Sequence, residues 1–133
     1  MILKALRRKE YKVIILIMVL VILYVIYTNF MIEGFESSLD GFKEDVKVGN
    51  KLVLFYADWC GHCKSMMKDW DEASKVVGGG MIKINVGNGT DKDRDIMNEY
   101  MVEGFPTIII FNNGKKVGVF KDRDRDSFEK FFN

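Results

Sequence analysis

The sequence predicts an α/β domain, a four-stranded mixed sheet flanked by helices, preceded by a single transmembrane helix. Three observations support this: one long apolar run near the N-terminus, short apolar runs alternating with helical periodicity after residue 50, and glycine-rich turns between them. We therefore divide the chain into four parts: a basic tail (1–12), a transmembrane helix (13–32), a tether with a short helix (33–50) and the α/β domain (51–133).

The transmembrane prediction rests on residues 13–32, which are apolar except for Thr28 and Asn29. At about 1.5 Å per residue, this run is long enough to cross a hydrocarbon core of about 30 Å. A cleaved signal peptide is the alternative, but its apolar core spans only about 7–15 residues and ends in an Ala-x-Ala-like site. Residues 27–33 contain no such site, so we favour an uncleaved signal anchor.

The charges on either side of the apolar run predict its orientation. Five basic residues and one acidic residue precede it, whereas five acidic and two basic residues follow it within residues 33–47. The positive-inside rule then places residues 1–12 in the cytosol and the domain on the non-cytosolic side. That side is an endoplasmic reticulum lumen, a periplasm or a virion or cell surface, where disulfides persist. A reversed topology would instead favour a cytosolic reductase.

The first half of the domain is predicted to contain a strand, a helix and a second strand. Residues 51–56 form an apolar, β-rich run typical of a buried strand. The glycines at 78–80 end the helix, and residues 81–85 form the next strand. The helix itself is indicated by apolar residues at helical spacing, namely Cys63, Met66, Met67, Trp70, Ala73 and Val77. A short helix ahead of the domain is indicated by Leu39, Phe42 and Val46.

The second half is predicted to contain a helix, a hairpin and a final helix. Residues 107–111 and 117–120 form the hairpin around a turn at 112–115. Asp126 with Glu129 caps the final helix, which buries its phenylalanines. This order of elements gives a mixed sheet with helices on both faces and a right-handed first crossover. The core residues of the two helices are Ile96, Met97, Tyr100 and Met101, and Phe128, Phe131 and Phe132.

Both cysteines and the only histidine lie in the four residues Cys60-Gly61-His62-Cys63. A structural zinc site needs four ligands and an iron–sulfur cluster typically four cysteines, so we expect no metal. A purely structural disulfide gains little from closing so short a loop. We therefore interpret the pair as a redox-active disulfide, the only cofactor expected; an inert disulfide and an intermolecular metal site are the alternatives.

The predicted position of the motif suggests a role for each residue. Cys60 lies on the first turn of the helix, where free N–H groups and the helix dipole favour an anion. We expect the pKa of this thiol to fall below about 8.5, which makes Cys60 the nucleophile. Cys63, one turn further, is less exposed and resolves the mixed disulfide. His62 stabilises the thiolate, or is an idle surface residue.

Two segments resemble the thioredoxin superfamily, specifically its protein disulfide isomerase branch. One is Leu-Val-Leu-Phe-Tyr-Ala-Asp-Trp-Cys-Gly-His-Cys-Lys at 52–64, and the other is Gly-Phe-Pro-Thr at 104–107, followed by an apolar strand. The resemblance covers about residues 37–133 and implies the thioredoxin fold. It also implies supporting roles for Trp59, Gly61 and Lys64, although a solvated helix position explains Lys64 equally well.

Pro106, the only proline, stands at a predicted strand start, where its missing N–H is tolerated. The resemblance implies that its peptide bond is cis and that the ring packs beside the disulfide. There it would shield the cysteines and turn the backbone of Phe105 outward, so that an extended substrate segment pairs with it. The alternative is a plain turn proline.

Three positions depart from the family pattern or match it weakly. Six residues before the nucleophile, where the family usually has a buried carboxylate that relays a proton, this chain has Leu54. Lys83 matches the usual partner of that carboxylate and either assists alone or reaches water. We expect slower resolution of mixed disulfides, not inactivity. Arg123 could match an arginine that lowers the pKa of the resolving thiol, but we interpret residues 121–126 as a solvated charge run.

Composition limits the partners. Residues 51–133 contain 13 basic and 13 acidic residues, so no basic patch for nucleic acid is expected. The expected partners are protein thiols and disulfides, glutathione or a redox partner, and the membrane through residues 13–32. The sequence thus predicts a membrane-anchored thiol–disulfide oxidoreductase. The alternative is an anchored chaperone or binding module that holds extended chains at Phe105 and Pro106, with non-essential cysteines.

Overall fold

The computed structural model describes the backbone of residues 2–32 and 37–133, and the side chains of 11–27 and 37–133. The chain divides into two compact units, Met1–Ile32 and Glu33–Asn133. Helix α1 (Ile2–Ile32) forms the first unit, and its apolar side chains between Val13 and Ile26 are exposed. The side chains of the predicted basic residues 4–9, and residues 33–36 of the predicted tether, lie outside the described residues.

The predicted membrane helix over residues 13–32 is not supported by this structure. Within the described residues, no helix combines the length and the apolar character that crossing a membrane requires.

The second unit contains four strands and four helices in the described residues. They are α2 (Phe42–Asp45), β1 (Asn50–Tyr56), α3 (Gly61–Val77), β2 (Met81–Asn85), α4 (Asp91–Tyr100), β3 (Thr107–Asn112), β4 (Lys115–Phe120) and α5 (Arg125–Phe132). The strands form one sheet in the order β2-β1-β3-β4. Strand β1 is parallel to β2 and antiparallel to β3, and β3 is antiparallel to β4. The predicted mixed sheet is confirmed.

Strand β1 lies at the centre of the fold because alternate side chains enter two separate cores. Leu52, Leu54 and Tyr56 belong to the core that contains both cysteines and is closed by α3 and α5. Val53 and Phe55 belong to the core on the opposite face, which is closed by α2 and α4. This alternation is the two-residue period of a strand buried on both faces. It places the end of β1, and the cysteine motif after it, between the sheet and α3.

Two helix ends differ from the prediction. Asp124, not Asp126, caps α5: its backbone is extended, and its Oδ1 accepts a hydrogen bond of 2.9 Å from the Ser127 N–H. Asp126 lies within the first turn, where its carboxylate cannot fill the N-cap position. Met101 was predicted to be a core residue of α4, but it follows that helix in a left-handed conformation (φ 55°) and is 73% exposed.

Candidate active site

Cys60 is the N-cap residue of α3, directly after the loop that leaves β1. Its backbone is extended (φ −77°, ψ 114°), and its Sγ accepts a hydrogen bond of 3.1 Å from the Cys63 N–H. The Cys60 N–H donates to the Ala57 carbonyl at 3.0 Å, which fixes the turn before the helix. The sulfur therefore occupies the place where an N-cap oxygen normally accepts a helix N–H, and where the helix dipole favours negative charge.

Cys60 and Cys63 are joined by a disulfide, with their Cα atoms 5.2 Å apart. Both cysteines are buried, and Cys63 is the less exposed, at 1% against 7% for Cys60. Cys63 packs on the apolar side of α3 with Met66 and Trp70. Of the two residues, Cys60 is thus the more accessible to an incoming thiolate.

Two aromatic side chains and the proline lie close to the motif. The ring of Trp59 meets that of Phe105 edge to face, with centroids 5.8 Å apart. The Phe105–Pro106 peptide bond is cis, Pro106 is buried, and Phe105 packs against both cores. Trp59 is 69% exposed, although its neighbour Cys60 is buried. The disulfide therefore lies beside an aromatic surface formed by Trp59 and Phe105.

A cavity of about 320 Å³ reaches Cys63 from the side of β2. Lys83 lines this cavity, and its ammonium lies 3.1 Å from Asp71 Oδ1 on α3. Neither of the two alternatives expected for Lys83, that it assists alone or only reaches water, describes this ion pair. Leu54, fully buried, stands opposite Lys83 in the β1–β2 register. The cavity is lined by Tyr56, Ala57, Asp58, Cys63, Lys64, Met67 and Lys83.

Asp71 is a site residue that sequence reasoning missed. Helical spacing offered a signal, because Asp71 follows the cavity-lining Met67 by four residues and so lies on the same side of α3. The signal was weak, since the partner Lys83 belongs to another element, twelve residues away.

The remaining predicted residues are at the surface. His62 and Lys64 are exposed on the first turn of α3, and neither forms an ion pair with another described residue. Gly61 opens the helix, and a Cβ there would meet open space. Arg123 is exposed with the rest of residues 121–126. Among residues whose placement is described, no group of three or more His, Cys, Asp or Glu side chains is arranged to hold a metal ion.

Comparison with known proteins gives consistent matches. The family model described as thioredoxin matches residues 35–133. Protein disulfide isomerase-like 2-2 of Oryza sativa subsp. japonica is 38% identical over 117 residues, which cover 80% of this chain and 31% of the relative. Probable protein disulfide-isomerase A6 of Medicago sativa is 40% identical over 98 residues, which cover 69% of this chain and 26% of the relative. This chain thus spans less than a third of either relative.

A solved structure extends the comparison to the fold. The oxidised form of mitochondrial thioredoxin 3 from Saccharomyces cerevisiae superimposes with a TM-score of 0.58 at 25% identity. The match covers 74% of this chain and 92% of that one. Sequence and fold therefore agree over the unit that carries the disulfide.

Proposed function

Because this chain belongs to the thioredoxin family, we propose that it is a thiol–disulfide oxidoreductase of the protein disulfide isomerase type, acting on cysteines of other proteins. The observation that carries the proposal is the Cys60–Cys63 disulfide on the first turn of α3. A helix N-terminus stabilises a thiolate at Cys60, and a stabilised thiolate is both a good leaving group and a ready nucleophile near neutral pH.

In the oxidising direction, a substrate thiolate attacks Cys60 Sγ and the Cys60–Cys63 bond breaks. Cys63 leaves as a thiolate and takes up a proton, while Cys60 is held in a mixed disulfide. A second substrate thiolate then attacks the substrate sulfur of that mixed disulfide. The substrate gains a disulfide, and the Cys60–Cys63 pair is left reduced by two electrons.

In the reducing direction, the Cys60 thiolate attacks a substrate disulfide, which releases one substrate thiolate and leaves Cys60 in a mixed disulfide with the other substrate sulfur. Cys63 must then lose its proton and attack Cys60 Sγ, which re-forms the Cys60–Cys63 disulfide and releases the second substrate thiolate, so that the substrate gains two electrons and the cysteine pair loses two. Cys63 and Lys83 line the same cavity, which is large enough to admit water, and the charge of Lys83 is balanced by Asp71. We propose that Lys83 and Asp71 assist this proton transfer through water, since Leu54 supplies no carboxylate.

The other motif residues have supporting roles in the proposal. His62 follows Cys60 by two residues and is exposed, so its charge can stabilise the thiolate without blocking a substrate. Trp59 and Phe105 form the aromatic surface on which a substrate segment lies, and the Phe105 backbone offers it main-chain hydrogen bonds. Glutathione or a redox partner protein would return the cysteines to their starting state.

The test is insulin reduction and refolding of reduced ribonuclease by the full chain, with Cys60→Ser and Cys63→Ser as variants. We expect Cys60→Ser to abolish turnover in both assays. Cys63→Ser is expected to accumulate a mixed disulfide on Cys60, visible as a covalent adduct on a non-reducing gel. Turnover by the wild type no greater than that of Cys60→Ser in both assays would reject the proposal.

A binding module with non-essential cysteines is the competing function, and it makes a different prediction in the same experiments. Capture of unfolded clients would then survive replacement of both cysteines, and the wild type would show no turnover. The aromatic surface of Trp59 and Phe105 is compatible with either function, whereas the disulfide at the N-terminus of α3 favours exchange chemistry.

We propose the location from the sequence: a single-pass membrane protein, with residues 1–12 cytosolic and the redox unit on the other side. The support is the apolar run of residues 13–32 in the sequence and the charge asymmetry around it. The chain should stay in the membrane pellet after carbonate extraction. After the disulfide is reduced with a membrane-permeant reductant, Cys60 should react with a membrane-impermeant alkylating reagent only from the non-cytosolic side. Release by carbonate would contradict the anchor.

A further inference from the structure

A chain of hydrogen bonds holds Trp59 from the end of the neighbouring strand. The indole Nε1–H of Trp59 donates to the Gly87 carbonyl at 2.9 Å. The Gly87 N–H donates to Asn85 Oδ1 at 3.0 Å, and Asn85 Nδ2 donates to Asp58 Oδ2 at 2.6 Å. These four residues, Asp58, Trp59, Asn85 and Gly87, form what we call the Trp59 clamp. It links the loop before the disulfide to the loop after β2.

The clamp depends on the unusually close approach of the Gly87 backbone to Ala57. A Cβ on this residue would lie 2.1 Å from the Cβ of Ala57 and 3.1 Å from Trp59 Nε1. The contact at 2.1 Å is far below any tolerated separation between carbon atoms, so only glycine brings its carbonyl within reach of the indole. Because Ala57 also accepts the Cys60 N–H, this approach fixes the same turn that positions the nucleophile.

Trp59 is held in place while remaining exposed to solvent. The residue is 69% exposed, although its ring is hydrogen-bonded at Nε1 and packed edge to face on Phe105. A ring held in one orientation beside the disulfide is well suited to contact a polypeptide. The clamp already restricts the conformational entropy of the Trp59 side chain in the free protein, so binding loses little more of it. A small disulfide has too little surface to use such a ring.

We propose that Asn85 is a positioning residue that, through the backbone of Gly87, holds Trp59 beside Phe105 and thereby favours protein substrates over small disulfides. This rests on the proposed function and adds a source of substrate selectivity to it. Asn85 touches neither cysteine in the described contacts, so its effect should appear in KM for a protein substrate more than in the exchange chemistry.

The expected size follows from the cost of ordering one side chain on binding. Losing the clamp should raise KM for insulin by about two- to ten-fold, which is the factor expected for one immobilised side chain. The rate with 2-hydroxyethyl disulfide should change by a clearly smaller factor. The Trp59 indole N–H should also exchange faster with solvent.

The experiment compares Asn85→Ala, Asn85→Asp and the exchange variant Asp58→Asn/Asn85→Asp in the full chain. Asn85→Ala removes both hydrogen bonds of the side chain. Asn85→Asp keeps the acceptor for the Gly87 N–H, but it places a second carboxylate beside that of Asp58, and the two negative charges repel each other. The exchange variant restores a donor opposite an acceptor, so it should recover both the KM for insulin and slow indole exchange. Asn112→Asp, at the opposite end of the sheet, is the matched control.

Indole exchange is read by proton–nitrogen NMR, with the buried Trp70 as internal reference and Trp59→Phe for assignment. Unchanged indole exchange in Asn85→Ala, or failure of the exchange variant to recover, would overturn the proposal. Equal losses with insulin and with the small disulfide would also overturn it, since they would indicate general damage. If Asn85→Ala does not fold, the other two variants decide. A wild type inactive on both substrates would instead reject the proposed function.

Discussion

The ammonium of Lys83 lies 3.1 Å from the carboxylate of Asp71, an ion pair that joins β2 to α3 beside Cys63. The Lys83 side chain is only 13% exposed, so water screens this pair less than it screens a surface pair. Lys83 therefore lines the same cavity as the predicted resolving thiol, and its charge is balanced by Asp71.

Replacing Lys83 should slow the step that uses Cys63. Lys83→Met keeps much of the apolar stem but removes the charge, so we expect mixed disulfides on Cys60 to resolve about ten-fold more slowly. This lies below the usual range of about 10²–10⁴ for direct proton transfer, because the role proposed for Lys83 is exerted through water. Rapid acid quenching and mass spectrometry of the adduct measure the rate. Lys92→Met, which removes an exposed ion pair with Asp40, is the control, and an equal slowing there would contradict the role of Lys83.

Introducing a carboxylate at Leu54 should have opposite effects on rate and stability. Leu54 stands opposite Lys83 in the β1–β2 register, so Leu54→Asp places an acid next to an existing cation. We expect faster resolution and a lower Tm, since the new group is fully buried. Leu52→Asp, two residues earlier on the same face, should lower Tm without any gain in rate. Faster resolution in both variants would show that disruption of the core packing, and not the carboxylate at position 54, raised the rate.

The core beneath α3 depends on α5. The rings of Trp70 and Phe128 meet at a centroid distance of 5.2 Å, and both residues are fully buried. Phe128→Ala should lower the free energy of unfolding by about 3–5 kcal/mol, as expected for a large cavity. Urea denaturation followed by far-ultraviolet circular dichroism tests this. Val119→Ala, at a half-exposed position on β4, should change it by far less. A small change in the free energy of unfolding on Phe128→Ala would mean that packing against α5 contributes little to the stability of this core.

The N-cap of α5 should make the thermal stability of the protein depend on pH in the acid range. The N–H of Ser127, and then its hydroxyl, donate to Asp124 and hold the pKa of that carboxyl below its usual 3.8. Because the pKa is lower in the folded state, the contribution is complete above pH 3.8 and fades as pH falls through the lowered value. Asp124→Ala should therefore lower Tm by a few degrees at pH 7 and by less below pH 3.8.

Melting curves from pH 7 to pH 2.5 measure this difference. Asp122→Ala, in the same exposed run, is the control and should leave Tm unchanged at every pH. A Tm difference for Asp124→Ala that grows as the solution is acidified would have the wrong sign and would contradict the assignment of the cap.

The parts of this protein that short-range patterns determine were predictable. Strand Met81–Asn85 has the bounds that its apolar run indicates. The position of the cysteine motif at the start of α3 was also predictable, because strand, loop and helix follow one another directly in the sequence. The pairing of Asp71 with Lys83 was not predictable, because it requires the distance between α3 and β2. The Trp59 clamp was missed for the same reason: its glycine looks like an ordinary turn residue until its closeness to Ala57 is known.

Phe42 contacts the rings of Phe55, Tyr100 and Phe111, at centroid distances of 5.9, 5.3 and 5.9 Å. Trimming the chain at Asn50 would therefore remove the middle ring of an aromatic cluster and leave a ring-sized void under the sheet. Shortened versions prepared for crystallisation or assay should begin ahead of Ser37. A version that starts at β1 should aggregate even though its cysteine motif is intact.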